Sequence, residues 1–95
     1  MEYFDMKEYL FKEDEHLGGI HKVYKFPNGF GASVIKNPFS YGGYKGLYEL
    51  AMIQFIDEDD YELFYDSDIV NGDVLGYLTK SEVREALKKI KDFSC

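Results

Sequence analysis

Two histidines, one cysteine and a dense run of carboxylates are the residues of this 95-residue chain with the types for chemistry. His16 and His21 lie on either side of a Gly18-Gly19 break. That spacing fits neither a zinc-binding helical pair nor a Cys/His finger. Cys95 stands at the last position, where a thiol is expected to fray and to be incidental. Asp66 and Asp68 begin the alternation of a calcium loop, but Val70 takes the next ligand position; Asp57 and Asp59 are followed by Tyr61. Both fail the oxygen-ligand pattern. Carboxylates are plentiful enough for glycoside hydrolysis, yet abundance without spacing is no signal. Gly42-Gly43 and Gly29-x-Gly31 do not match a phosphate-binding fingerprint that opens a helix. The expectation is a protein that is not an enzyme and that needs no cofactor and no metal.

The charge pattern points to recognition instead. Residues 20–48 contain no acid and carry Lys22, Lys25, Lys36 and Lys45. Residues 57–73 contain no base and carry Asp57, Glu58, Asp59, Asp60, Glu62, Asp66, Asp68 and Asp73. The net charge is −7, which opposes direct nucleic-acid binding, because phosphate contacts require Lys and Arg. An acidic surface suits a basic protein partner, including the nucleic-acid channel of another protein. Aromatic residues make up 18% of the chain, nine Tyr and eight Phe. A core this small cannot hide them all, and exposed tyrosines favour binding patches. One cysteine allows no intrachain disulfide, so a reducing compartment is expected. No apolar run approaches membrane-spanning length, and the cytoplasm is the simplest location.

The elements that position these groups form one domain over residues 1–95: an acidic N-terminal arm or helix (1–19) and a sheet-plus-helix body (20–95). Tyr3, Met6 and Leu10 fall at helical spacing, with Phe4 and Phe11 beside them, and predict a short amphipathic helix. The body is expected to fold without this arm. Residues 20–26 and 30–35 read as strands around Pro27-Asn28-Gly29, a type I turn with a left-handed glycine. This register puts Tyr24, Phe26, Phe30, Ala32 and Val34 on one face. Residues 36–46 are a loop with Lys36, Phe39, Tyr41, Tyr44 and Lys45 spaced along it, and connections of this length are often functional. Residues 47–56 read as a central strand covered on both faces. After the acidic turn at 57–60, residues 61–66 read as the fourth strand. Thr79 and Glu82 form a capping box, with Leu78 and Val83 as hydrophobic staple. Val83, Ala86, Leu87, Ile90 and Phe93 make the apolar stripe of a C-terminal helix. The expected fold is α+β: a four-stranded, mostly antiparallel sheet, the C-terminal helix on one face, and a short N-terminal helix.

Three stretches carry a resemblance. They are Phe26-Pro27-Asn28-Gly29-Phe30-Gly31-Ala32-Ser33-Val34, then Gly46-Leu47-Tyr48-Glu49-Leu50-Ala51 leading to Tyr65-Asp66, and Asp73-Val74-Leu75-Gly76-Tyr77-Leu78-Thr79 entering a Glu-rich helix. Over residues 20–93 the chain resembles small proteins encoded by bacteriophages and prophages, a group with no agreed activity. The resemblance implies a phage accessory role and transfers no catalytic residue.

Charge and resemblance together give the expected function. It is a phage accessory protein in the bacterial cytoplasm that binds and inhibits a host protein with a basic surface, an antiviral-defence component being one such target. Asp57, Glu58, Asp59, Asp60, Glu62, Asp66 and Asp68 would make the contact. The competing class is a small-molecule binder that sequesters a nucleotide signal. There Tyr41 and Tyr44 would stack on a base and Lys36 or Lys45 would meet phosphate, with Phe39 beside them. A third class is a phage assembly protein, or a homodimer joined through an open sheet edge.

Overall fold

The computed structural model describes residues 6–16, 18–40, 42–70 and 74–93, with the backbone alone for residues 16 and 44. In chain order the strands are β1 (Leu10–His16), β2 (Gly19–Lys25), β3 (Phe30–Lys36), β4 (Tyr48–Phe55), β5 (Tyr61–Leu63) and β6 (Leu75–Leu78), followed by helix α1 (Lys80–Lys91). All strand pairs are antiparallel, in the order β1-β2-β3-β4-β5, and β6 also pairs with β4. The fold is therefore α+β, with six strands among the described residues instead of the expected four.

The hairpin at Pro27-Asn28-Gly29 forms as its sequence requires. Gly29 has φ +88°, and the Phe26 N–H donates to the Phe30 carbonyl at 2.9 Å. Tyr24 pairs with Ala32 across β2 and β3. Asn28 does more than turn the chain. Its Oδ1 accepts the Phe30 N–H at 3.0 Å, and its Nδ2 lies 2.8, 3.0 and 2.9 Å from the carbonyls of Ile90, Lys91 and Phe93. The turn amide thus caps the carboxyl end of α1, where helix carbonyls lack partners.

The N-terminal helix is replaced by a single 3-10 turn, Lys7–Tyr9, and then by edge strand β1. Cross-strand charge explains the outcome. Gly18, at φ +83°, lets the chain reverse, which sets Glu13 opposite Lys22 and Asp14 opposite His21. The opposite charges of Glu13 and Lys22 on facing positions stabilise the antiparallel pair. Met6 is buried, and Tyr9 and Leu10 pack on the main core. Residues 1–5, with Tyr3 and Phe4 of the expected helix, lie outside the described residues, as do Asp73 and Cys95.

β5 and β6 share the β4 edge opposite β3. β5 lies along residues 53–55, and β6 pairs at Tyr48 and Leu50. The expected fourth strand at 61–66 therefore ends early: the Phe64 N–H still donates to the Met52 carbonyl at 2.9 Å, but the chain then leaves the edge. Val70, fully buried, anchors this excursion in the core.

Helix α1 lies over β3, β4 and β6, and its Val83, Ala86, Leu87 and Ile90 complete the core of Tyr24, Phe26, Phe30, Ala32, Val34, Tyr48, Leu50 and Met52. Phe93 continues the stripe, edge-on to Phe30 with centroids 5.0 Å apart. Both arms of the capping box are made: Thr79 Oγ1 accepts the Glu82 N–H at 3.2 Å, and Glu82 Oε1 accepts the Thr79 N–H at 2.8 Å. Thr79→Ala is expected to cost about 1 kcal/mol in urea denaturation, because the N-terminal donors lose their acceptor. An unchanged midpoint would mean that water replaces the cap at no cost.

β4 is covered on both faces, as its apolar run implies. Tyr48, Leu50 and Met52 face the helix, while Ala51 and Ile53 are buried on the opposite side. A smaller aromatic layer lies on that opposite side. Phe55 packs on Phe11 at 5.3 Å and on Tyr61 at 5.2 Å, and the Lys25 ammonium sits 4.9 Å above the Phe55 ring.

Candidate functional site

The acidic run is presented by the β4–β5 turn and the chain that follows it. Asp57 opens this turn, and its Oδ1 accepts the N–H groups of Asp59 and Asp60 at 3.0 and 2.9 Å. The Asp60 N–H, followed by that of Asp59, holds the Asp57 carboxyl below the usual carboxylate range. A carboxylate hydrogen-bonded in this way favours its charged form. A folded pKa depressed below the unfolded value contributes stability above the unfolded value, and this is lost as pH falls through the folded one. The hydrogen bonds that Asp57 accepts are thus strongest when Asp57 is ionised.

Asp57, Glu58, Asp59, Asp60, Glu62, Asp66 and Asp68 are all exposed. The structure gathers residues 57–60 at one hairpin end and sets Glu62 on the adjoining edge strand. Asp66 and Asp68 follow on the excursion toward Val70. Apolar side chains are exposed among them: Ile56 at 63%, Leu63 at 45% and Tyr65 at 54%. The lysine-rich half of the sequence is not spatially separate from this surface. Lys25 Nζ donates to the Glu58 carbonyl at 2.6 Å, tying β2 to the acidic turn.

The aromatic loop at 36–46 is braced from within. Asn37 and Ser40 are buried; the Asn37 N–H donates to Ser40 Oγ at 3.0 Å, and Asn37 Oδ1 accepts the Phe39 N–H at 2.8 Å. This leaves Phe39 projecting, 78% exposed. Lys36 packs its ammonium 4.9 Å from the Tyr48 ring, and Lys45 lies 5.9 Å from the Tyr77 ring. Tyr77 has φ +58°, a left-handed conformation that bulky residues rarely adopt, and its Cα abuts Gly42. Tyr41 and the Tyr44 side chain lie outside the described residues.

A third group was not anticipated from the sequence. His21 Nε2 is 2.9 Å from Ser33 Oγ, and His21 Nδ1 is 3.4 Å from Asp14 Oδ1. Asp14 faces His21 across β1 and β2, and Ser33, partner of Val23, is one diagonal step away. Alternation along β2 puts His21 with Val23 and Lys25 on the sheet face away from α1. An open depression of about 690 Å³ adjoins the three, lined also by Lys12, Glu15 and Ile35. The available signal was the Gly18-Gly19 break, beside which β1 and β2 pair and Asp14 comes opposite His21.

Among the described residues no helix is long and apolar enough to cross a membrane. Comparison of the chain with protein-family models, with curated proteins and with solved structures returned no match.

Proposed function

We propose that this chain is a protein-binding module that docks the acidic β4–β5 turn and the adjoining edge on a basic partner surface. The observation that carries this is the exposure of Ile56, Leu63 and Tyr65 among seven exposed carboxylates. Protein interfaces pair an apolar or aromatic centre with a polar rim. The carboxylates supply steering and register toward Lys and Arg, and the apolar groups supply the area removed from water. Carboxylates spaced along an edge also suit an Arg- and Lys-lined channel that otherwise takes phosphates. The resemblance to bacteriophage proteins adds the context of a bacterial host protein in the cytoplasm, inhibited by stoichiometric occupation of its basic surface.

The test compares wild type with two variants on an isolated candidate partner at low and high salt. One carries Asp57→Asn, Asp59→Asn, Asp60→Asn and Glu62→Gln; the other carries Leu63→Ser and Tyr65→Ser. Asn at 57 keeps an oxygen that can accept the two turn N–H groups, so folding is expected to hold. Each variant is expected to weaken binding at least about tenfold, and wild-type affinity is expected to fall as salt rises. Retained affinity in the first variant, with loss on Phe39→Ala, would move the site to the braced loop. That second reading, a small-molecule or apolar protein contact, rests on the exposed Phe39 ring. Light scattering of the same samples separates either reading from self-association through an edge strand.

A further inference from the structure

Asp14, His21 and Ser33 form a chain of polar contacts beside an open depression on the face away from α1. We propose that Ser33 is an activated nucleophile that accepts an acyl group from small activated esters, with His21 as general base and Asp14 as the carboxylate that orients the imidazole. This goes beyond the docking reading and does not use its residues.

Proton placement follows from the partners. The proposal puts the imidazole proton on Nδ1, 3.4 Å from an Asp14 carboxylate oxygen that can only accept. That leaves the Nε2 lone pair facing the Ser33 hydroxyl at 2.9 Å, within reach for proton transfer. All three residues are mid-strand or near it in β1, β2 and β3, so ladder register fixes their spacing better than a loop would. Access comes from the depression itself: Ser33 is half-buried and lines it together with His21. Ile35 gives the depression one apolar wall.

The step balances without a co-reactant. Ser33 Oγ bonds to the acyl carbon as its proton passes to Nε2. The tetrahedral adduct then collapses: the carbon–oxygen bond to the leaving alcohol breaks, and the Nε2 proton moves to that oxygen. Water repeats the sequence to release the acid. The oxyanion has an unusual partner. β3 is paired on both sides, so its backbone N–H groups belong to the ladders. Lys12, whose ammonium lies 3.9 Å from Asp14 Oδ2, also lines the depression and would have to supply the charge opposite the oxyanion. Each missing oxyanion-hole donor costs about 10²–10³ in rate. The site is therefore one that acylates slowly and holds its acyl group, not one of rapid turnover.

The full-length chain is treated with p-nitrophenyl acetate and, separately, with a fluorophosphonate, and adducts are located by peptide mass spectrometry. The expected result is one adduct, on Ser33, absent in Ser33→Ala. His21→Ala is expected to slow labelling at least about 100-fold, the low end for a general base, with added imidazole restoring part of the rate. Asp14→Asn is expected to slow it at least about tenfold, and Asp14→Glu to recover part of that loss, which a merely structural role would not produce. Thermal midpoints are followed throughout; if His21→Ala does not fold, His21→Gln, which keeps polarity but cannot carry the proton, takes its place. Wild-type protein unlabelled at Ser33, adducts only at other residues, or an unchanged rate in the folded His21 variant would each overturn the proposal.

Discussion

Deletion of residues 1–17 is expected to abolish the cooperative thermal transition. The charge and composition of this segment suggest a dispensable acidic arm, but its packing does not. The deletion removes the whole of β1 with the buried Met6, and takes Tyr9 and Leu10 from the core. Tyr9 is edge-on to Phe26 at 5.3 Å, directly against the main hairpin. It also removes the Glu13 carboxylate 4.0 Å from Lys22, a lysine fully buried in β2. Truncating one buried Leu or Met to Ala typically costs about 2–5 kcal/mol, against a total stability of about 5–15 kcal/mol for a small domain. Several such losses, with the Glu13 carboxylate taken from beside a buried ammonium, exceed what the remainder can supply. Circular dichroism on heating, with proton chemical-shift dispersion as a second probe, decides it. A sharp transition in the truncated chain would show that residues 18–95 fold alone and that β1 is an accessory edge.

What the sequence discloses here divides along the range of the interactions. The hairpin at Pro27-Asn28-Gly29 and the start of α1 are legible because their signals are local. A proline, a left-handed glycine and a capping box act within four residues. Helical spacing of Tyr3, Met6 and Leu10 misleads, because β1 is held by partners on β2 that one-dimensional periodicity does not weigh. That single misreading hides the polar chain as well. Asp14 and His21 meet only if residues 10–16 fold back as a strand, and Ser33 joins them only through the β2–β3 register. Likewise Asn28 reads as a turn residue, and nothing nearby announces that its amide reaches Ile90, Lys91 and Phe93. β6 escapes notice because four residues containing Gly76, with Tyr77 at positive φ, carry little strand pattern. The acidic surface is legible in outline, since a run of carboxylates belongs in a turn. Its contact with the lysine-bearing strands is not, because Lys25 reaches the Glu58 carbonyl only through the sheet. Ile56, Leu63 and Tyr65 gain their meaning only from exposure, which alternation alone would have assigned to a sheet face.

Leu87→Ala is expected to lower stability by about 2–5 kcal/mol, the second large effect. Leu87 is fully buried on α1 between Val83 and Ile90, and the same core holds Ala32, Val34, Leu50 and Met52. The helix and sheet are both ordered elements, so the space left by the side chain is filled only by partial collapse, and lost transfer free energy adds to the cavity term. Helix propensity does not offset this, since Ala gains only a few tenths of a kcal/mol over Leu. Leu87→Met keeps the volume and is expected to cost under about 1.5 kcal/mol, which separates packing from any loss of helix. The comparison also reaches the functional surfaces. α1 is tied to the hairpin through Asn28, and Phe93 packs on both Phe30 and Phe64, the residue at which the chain leaves the acidic edge. Loosening α1 should therefore loosen the support under Tyr65 and Asp66 before the chain unfolds. Hydrogen exchange on Leu87→Ala should show faster exchange in residues 61–70 along with α1, while β1 and β2 keep their protection relative to global opening. Equal acceleration everywhere would mean that the helix and the acidic edge share one cooperative unit with the rest of the sheet. An unchanged denaturation midpoint would mean that the apolar stripe of α1 does not face the sheet.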